Sequence, residues 1–341
     1  MATFYIHAGY GKCGSTAIQR WLQNAGASLR KDGAFNCGTG LQHCPEAPFG
    51  TVPEMIRAIR TDPDAAARDI GAALAAAGER HSIVIWSCEA LQLRHRLLAP
   101  IIAELMTRHE VKVVLYLRNH VAWLLSAYAQ WGIKHPTSRH KTAPHAVSFA
   151  EFVESRRQDL DYAGAIAGWE RTGATVLPRS YDAAPDVVDD FIALAGLSGS
   201  SDGGRANPPM QPTTLALLKG IQSVRKAPVG IASFEKMLRR SALSPGAIET
   251  TSLDLLPEAD VDLAALHASF QGERDALRTR YGLDLTDSAP RNPLTRPSGT
   301  NDDVVAVLSL ICQTLHERVE TLEARLATLE AERKAAPTAE D

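Results

Sequence analysis

The sequence has no apolar run that approaches the length of a membrane span. It has no surplus of one charge either: 36 Lys and Arg stand against 39 Asp and Glu, a formal net charge of -3. That balance exerts no global pull towards nucleic acid or acidic lipid, so any anion site must be local. Cysteine is scarce. Five residues, an odd number at irregular spacing, do not form a disulfide framework. Cys37, His43 and Cys44 cluster loosely, but no fourth ligand lies near them, so no metal is expected. A strand signal begins by about residue 3, which leaves no room ahead of it for a signal peptide. A cytoplasmic protein is the default expectation. The 341 residues, 45% hydrophobic and 22% charged, suffice for one large core and an appendage.

What is present starts at once. The short apolar run Phe4-Tyr5-Ile6-His7 stops at Ala8-Gly9-Tyr10-Gly11-Lys12-Cys13-Gly14-Ser15-Thr16. A helical pattern follows from Thr16 to roughly Leu29, with Ala17, Ile18, Trp21, Leu22 and Ala25 at three- and four-residue spacings. Ser15 or Thr16 can cap that helix. A strand, a glycine turn and a helix N-terminus bring free N–H groups and the positive end of a helix dipole to one point. Lys12 adds a charge, so the turn suits a phosphate or sulfate. The alternative is an ordinary βα turn whose glycines serve geometry alone.

The glycines also fit the dinucleotide pattern GxGxxG, which requires a second strand soon after the helix, ending in an acidic residue. The stretch Lys31-Asp32-Gly33-Ala34-Phe35-Asn36-Cys37-Gly38 carries no such signal. The nucleotide kinase loop fits poorly too, because its lysine follows the last glycine, whereas Lys12 precedes Gly14.

Further along, residues 34–52 read as an irregular loop, and Pro53–Arg60 and Pro63–Ala77 as helices. Strands are expected at His81–Ser87, Val111–Arg118 and Ala174–Arg179, with helices at Leu98–His109, Val121–Ile133, 148–156, 160–172 and Val187–Ala195. This alternation predicts an α/β fold with a parallel sheet covered by helices. Residues 134–147, with Lys134, His135, Arg139, His140, Lys141 and His145, form a basic loop: a solvated connection or a lid over an anionic ligand. Helices near 213–225, 231–241 and 260–280 end the globular part, residues 1–286, and 287–301 is a linker. In the tail, Val305, Leu308, Cys312, Leu315, Val319, Leu322, Leu326 and Leu329 alternate at three and four. That pattern predicts a coiled-coil helix over 302–334, with a disordered end at 335–341. Arg318 facing Glu323 and Arg325 facing Glu330 of a second chain would make a parallel homodimer through 305–329. A single amphipathic helix folded onto its own domain is the alternative.

Arg118 ends the third strand, and Ser126 follows eight residues later in the next helix. An arginine fork and a hydroxyl suit a second phosphate. Each also has a plain structural reading, as a strand end and a helix hydroxyl.

Together these pieces resemble the sulfotransferases that use 3′-phosphoadenosine 5′-phosphosulfate (PAPS), in particular bacterial carbohydrate-type members. The stretch Tyr5 to Thr16 resembles their 5′-phosphosulfate loop. Tyr116-Leu117-Arg118-Asn119-His120 through Ser126-Ala127-Tyr128 resembles their 3′-phosphate motif. Leu160-Asp161-Tyr162, Trp169 and Arg179-Ser180-Tyr181-Asp182 through Asp190-Phe191 are similar to downstream segments. Two positions depart from the pattern: Gly11 replaces a proline and Cys13 a threonine. The resemblance covers roughly residues 3–285 and implies a P-loop-like three-layer domain with PAPS as co-substrate and no metal. It implies Gly11, Lys12, Cys13, Gly14, Ser15 and Thr16 at the 5′-phosphate, and Arg118 and Ser126 at the 3′-phosphate, with Tyr181 in the donor site. Lys12 would stabilise the leaving phosphate during in-line sulfuryl transfer. The acceptor would be a carbohydrate, glycolipid or other small molecule. For the base, Glu89 follows a strand that ends at the same sheet edge; the alternative is a cap on the next helix. His7 is the second choice and His135 the third. An NAD-dependent oxidoreductase and a non-catalytic dimeric binding protein are the competing functions.

Overall fold

A computed structural model describes residues 1–135, 148–201, 203, 215, 218–219, 230–240, 261–286, 312, 315 and 319–329. The expected linker at 287–301, the end at 335–341 and residues 136–147 of the basic loop lie outside the described residues.

In chain order the elements are β1 (Thr3–His7), α1 (Ser15–Asn24), α2 (Gly26–Lys31), β2 (Ala34–Asn36), α3 (Val52–Thr61) and α4 (Pro63–Arg80). Then come β3 (Ile83–Ser87), α5 (His95–Leu105), β4 (Glu110–Leu117), α6 (His120–Ala127), α7 (Phe149–Arg156), α8 (Tyr162–Glu170), β5 (Thr175–Ser180) and α9 (Val187–Ala195). The last are α10 (Ile231–Arg240), α11 (Leu263–Ser269) and α12 (Gln271–Tyr281). Short 3₁₀ turns cover Glu89–Leu91 and Arg157–Leu160, and a π-helix covers Tyr128–Lys134.

The five strands form one sheet in the order β2-β3-β1-β4-β5, and every pairing is parallel. The α/β sheet flanked by helices that the alternation predicts is therefore present. Central strands of a parallel sheet are covered on both faces and read as continuous apolar runs. Ile83-Val84-Ile85-Trp86 and Val113-Val114-Leu115-Tyr116-Leu117 are such runs, and all but Ile83 are buried.

By contact density the chain divides into two compact units. Met1–Ala127, Val153–Pro208 and Val261–Arg291 form the unit that contains the whole sheet. The other comprises Tyr128–Phe152, Pro209–Asp260 and Asn292–Asp341. Within it Tyr128 packs against Phe149 and Phe152, with ring centroids 5.2 and 5.4 Å away.

Several elements differ from the expectation. The stretch expected to hold no strand contains β2, whose three residues pair with β3 alone. An edge strand gains pairing on one side only and needs little apolar signal, so residues 34–36 read as loop. The helix expected from Thr16 to Leu29 breaks at Ala25 into α1 and α2, next to Gly26. The helix expected over Val121–Ile133 is α-helical to Ala127 and π-helical from Tyr128. The helix near 260–280 is two helices that break at Phe270.

In the tail, residues 319–329 are helical, and Val319, Leu322, Leu326 and Leu329 are each at least 50% exposed. The remainder of the 302–334 helix expectation lies outside the described residues apart from 312 and 315, which are also helical.

The sheet also sets the site. His7, the last residue of β1, is level with Ser87 at the end of β3 and with Val114 in β4. β4 runs on through Leu115, Tyr116 and Leu117, so it overshoots β1 by three residues. At about 3.3 Å per residue that is a step of roughly 10 Å at the carboxyl edge. The chain leaves β1 towards β2 and leaves β4 towards β5, in opposite directions. Such a switch point opens a crevice between the two loops, where open α/β sheets bind ligands.

Candidate anion-binding site

The turn after β1 folds into the step. Lys12 (φ 69°) and Gly14 (φ 82°) both take the left-handed conformation. A Cβ at Gly14 would lie 2.6 Å from Cγ1 of Val187, so only glycine fits there. Lys12 carries a side chain in that conformation at a cost of about 1–2 kcal/mol, which the packing around the turn must offset. Trp123 contributes to that packing: its Nε1–H donates to the Gly11 carbonyl at 2.8 Å.

The turn leaves donors open. Among the described residues, the backbone N–H groups of Gly11, Lys12, Gly14, Ser15 and Thr16 reach no acceptor. They converge at the N-terminus of the ten-residue α1, which has no side-chain cap. Neither Ser15 nor Thr16 caps the helix as expected, because it begins one residue earlier, at Ser15, with Gly14 as N-cap. The Ser15 hydroxyl donates instead to the Tyr10 carbonyl at 3.3 Å. Successive N–H groups in a turn with left-handed residues make an anion-binding concavity, and the helix dipole adds to it. Cys13 is different. Its N–H donates to Tyr10 O at 3.2 Å and its side chain is fully buried, with the thiol pKa pushed up by that burial.

The loop after β4 forms the opposite wall. Arg118 is 8% exposed, and its Nε donates to Oδ1 of Asp182 at 3.3 Å. The neighbouring Asn119 N–H donates to Oδ2 of Asp182 at 3.0 Å. The guanidinium lies over the Tyr181 ring, 5.3 Å from its centroid, within cation–π range. Tyr181 is also level with the turn, since its Cε2 would be 3.0 Å from a Cβ at Gly14. One ring thus touches both walls. Ser126 sits half-buried on α6 and, among the described residues, makes no hydrogen bond with Arg118.

Glu89 opens the short turn after β3, two residues beyond the end of the strand, and is largely buried. Burial raises its pKa; the Ser15 hydroxyl and the Lys12 ammonium beside it work the other way. Lys12 mirrors it. Burial lowers its pKa, the Glu89 carboxylate raises it, and the Arg118 guanidinium lowers it. Lys12, Glu89 and Arg118 therefore share one electrostatic neighbourhood, as their separate loops at one sheet edge require.

His7 stands apart. It is fully buried beneath the turn, and its Nδ1 shares a 2.8 Å hydrogen bond with Ser87 Oγ. Burial lowers its pKa to about 4, so it is neutral at pH 7. Its Nε2 would be 2.8 Å from a Cβ at Gly9, so the imidazole lies against the turn backbone. A neutral, enclosed imidazole is a poor proton acceptor and a good support. His135 is exposed, at the end of the π-helix. His43 Nδ1 lies 2.9 Å from the Asn36 carbonyl, and among the described residues no group of three metal-ligating side chains occurs.

Sequence reading named Arg118, Tyr181, Lys12 and Glu89 but gave no role to Asp182, Asn119 or Trp123. Asp182 was within reach of the same signal that found Arg118, since it follows the carboxyl end of the adjacent strand β5. Trp123 had no such signal, because its bond to Gly11 spans 112 residues.

Replacing Gly14 with alanine should strain the φ 82° backbone and press on Val187, closing the open N–H groups. The expected result is a stability loss of about 1–3 kcal/mol and the disappearance of pyrophosphate-induced stabilisation in thermal melts. Undiminished stabilisation by pyrophosphate would show that the turn is not the cradle. No family model and no curated protein matches the chain, so the functional reading rests on this geometry and on the resemblance of its motifs.

Proposed function

We propose that the chain is a PAPS-dependent sulfotransferase that delivers a sulfuryl group to an acceptor hydroxyl. The observation that carries this is the pairing of two basic anion grips across one crevice, with a raised-pKa carboxylate beside the first of them. The open N–H groups of residues 11–16 and Lys12 form the first grip, Arg118 on Tyr181 the second, and Glu89 lies beside Lys12. A donor phosphorylated at both ends of its ribose asks for two such grips.

Each residue then has a task. The turn N–H groups hold the 5′-phosphate and supply hydrogen bonds to charge at no reorganisation cost. Asp182 holds Nε of Arg118, and among the described residues the two terminal nitrogens keep no protein partner, which leaves them for the 3′-phosphate. Ser126, the first serine or threonine after Arg118 in the chain, completes that grip. Glu89 accepts the proton of the acceptor hydroxyl, whose oxygen bonds to sulfur as the bond from sulfur to the bridging oxygen breaks. Lys12 stabilises the negative charge that develops on that bridging oxygen. Two charged side chains whose burial shifts them towards each other are poised for this exchange.

The sheet speaks against NAD. The strand after α1 ends in Asn36, which is not acidic, and β2 pairs with β3 instead of β1. A dinucleotide site places that strand next to β1 and uses its acidic end for the ribose.

A second copy of the chain as partner rests on the exposed stripe Val319, Leu322, Leu326 and Leu329 along one helix. Parallel pairing would bury it with the spacing of a heptad seam.

Four measurements test these readings. 3′-Phosphoadenosine 5′-phosphate should raise the melting temperature and NAD should not; stabilisation by NAD alone would reject the assignment. Glu89→Gln should keep that shift and lose roughly 10²–10⁴-fold in turnover. The wild-type rate should rise with pH through a carboxylate pKa above the usual 4.5, and fall again through a lysine pKa below the usual 10.5. Full turnover by Glu89→Gln would remove Glu89 as the base. Deleting residues 303–341 should convert a dimer to a monomer in light scattering, and an unchanged mass would sink the coiled coil.

A further inference from the structure

Two residues that the anion site leaves unused, Cys37 and Cys44, meet in the loop after β2. Both are free thiols, 0% and 3% exposed, and the Cys37 S–H donates to the Cys44 sulfur. We propose that this pair is a site of reversible oxidation, which a small hydroperoxide converts to an intramolecular disulfide. The inference goes beyond the donor reading and invokes no residue of the anion site.

The fold brings the two sulfurs together and holds them. Cys37 is fixed to the sheet, because its N–H donates to the Ile85 carbonyl of β3 at 2.9 Å. The chain then turns back, with Gly38 at φ 78° and Leu41 at φ 64°, until the His43 N–H reaches the Cys37 carbonyl at 3.2 Å. The Cys44 N–H donates to the Leu41 carbonyl at 2.9 Å, and Trp86 Nε1–H donates to the Thr39 carbonyl at 3.2 Å. The left-handed conformation is unfavourable for leucine, which has a Cβ, so these bonds keep the turn against a local cost. Thiols that share a hydrogen bond already face each other, and a disulfide needs that approach before its sulfurs close to about 2 Å. Among the described residues no group of three ligating side chains includes the pair, so it lacks the ligand set of a structural zinc site.

The two thiols are unequal. The hydrogen bond from Cys37 lowers the Cys44 pKa; burial and the Glu46 carboxylate oppose that, and the Arg80 guanidinium adds to it. The same bond, together with burial, raises the pKa of Cys37. Cys44 also lies just beneath the surface, between exposed His43 and Pro45. It is therefore the attacking thiolate, and Cys37 is the resolving thiol. The Cys44 sulfur attacks the terminal oxygen of the hydroperoxide as the O–O bond breaks, giving a sulfenic acid and water or an alcohol. The Cys37 sulfur then attacks the sulfenic sulfur. An S–S bond forms, the S–O bond breaks and water leaves. The dithiol has lost two electrons and two protons to the hydroperoxide, and a dithiol reductant restores it by exchange. Cys13 and Cys88 contrast with the pair, since burial pushes both thiols up and out of reactive range.

The test treats the folded full chain with hydrogen peroxide, then denatures it, alkylates free thiols and maps the peptides by mass spectrometry. Cys37 and Cys44 fall on one tryptic peptide, because no Lys or Arg lies between Asp32 and Arg57. That peptide should lose two hydrogens and resist alkylation, roughly tenfold faster than Cys13 or Cys88 is oxidised, and dithiothreitol should restore it. In Cys37→Ser, dimedone should trap a sulfenic acid at Cys44; in Cys44→Ser, Cys37 should stay a thiol. Alkylation of both thiols after peroxide, a gain of oxygen in place of the loss of hydrogens, or equally fast oxidation of Cys13 and Cys88 would overturn the proposal. Those outcomes are read from the wild-type chain and need no variant to fold. A sulfenic acid on Cys37 in Cys44→Ser would overturn the assigned order of attack.

Discussion

Everything at the carboxyl edge depends on β1 stopping three residues before β4 does. The hydrogen-bonded register between these strands makes a step, and the glycine turn lies in it. Because the turn packs against α6, α9 and the residue after β5, its carbonyl at Gly11 is anchored by Trp123 and its Cα at Gly14 lies against Val187 and Tyr181. Among the described residues its N–H groups at Gly11, Lys12, Gly14, Ser15 and Thr16 have no partner. A freely moving loop would satisfy them with its own carbonyls or with water. The sheet register thus positions the turn proposed as the anion cradle.

The second dependence is electrostatic. Lys12 and Glu89 are both partly withdrawn from water, and burial moves each towards its neutral form. Their mutual attraction opposes that shift in both groups. Arg118 is steadied in another way, by Asp182 at Nε and by the Tyr181 face. A permanent cation with one side engaged suits a static grip, whereas a perturbed lysine and carboxylate suit a step in which charge and a proton move. The proposed division of labour follows from these two kinds of support.

Much of this was legible in the chain. The runs Ile83–Ser87 and Val111–Leu117 are long, apolar and β-branched, and both became central strands. The glycine turn announced itself through Gly9, Gly11, Gly14 and Lys12 in sequence. β2 was missed because three residues at an edge leave little trace in composition. The break at Ala25 was missed because α1 and α2 continue one apolar pattern across it. His7 looked like a candidate base from its position at a strand end, but only packing shows that Tyr116 and Phe191 enclose it.

The sequence by itself determined the parallel α/β class, the glycine turn and the residues that carry charge at strand ends. These are local properties, set by periodicity, by φ preference and by which residue follows a strand. Only the tertiary structure decided that the order is β2-β3-β1-β4-β5, that Asp182 and Tyr181 hold Arg118, and that Glu89 lies beside Lys12. Those facts are contacts between residues 63 or more positions apart, or the register of strands that are distant in the chain. No window of sequence contains both partners, so packing alone could choose them.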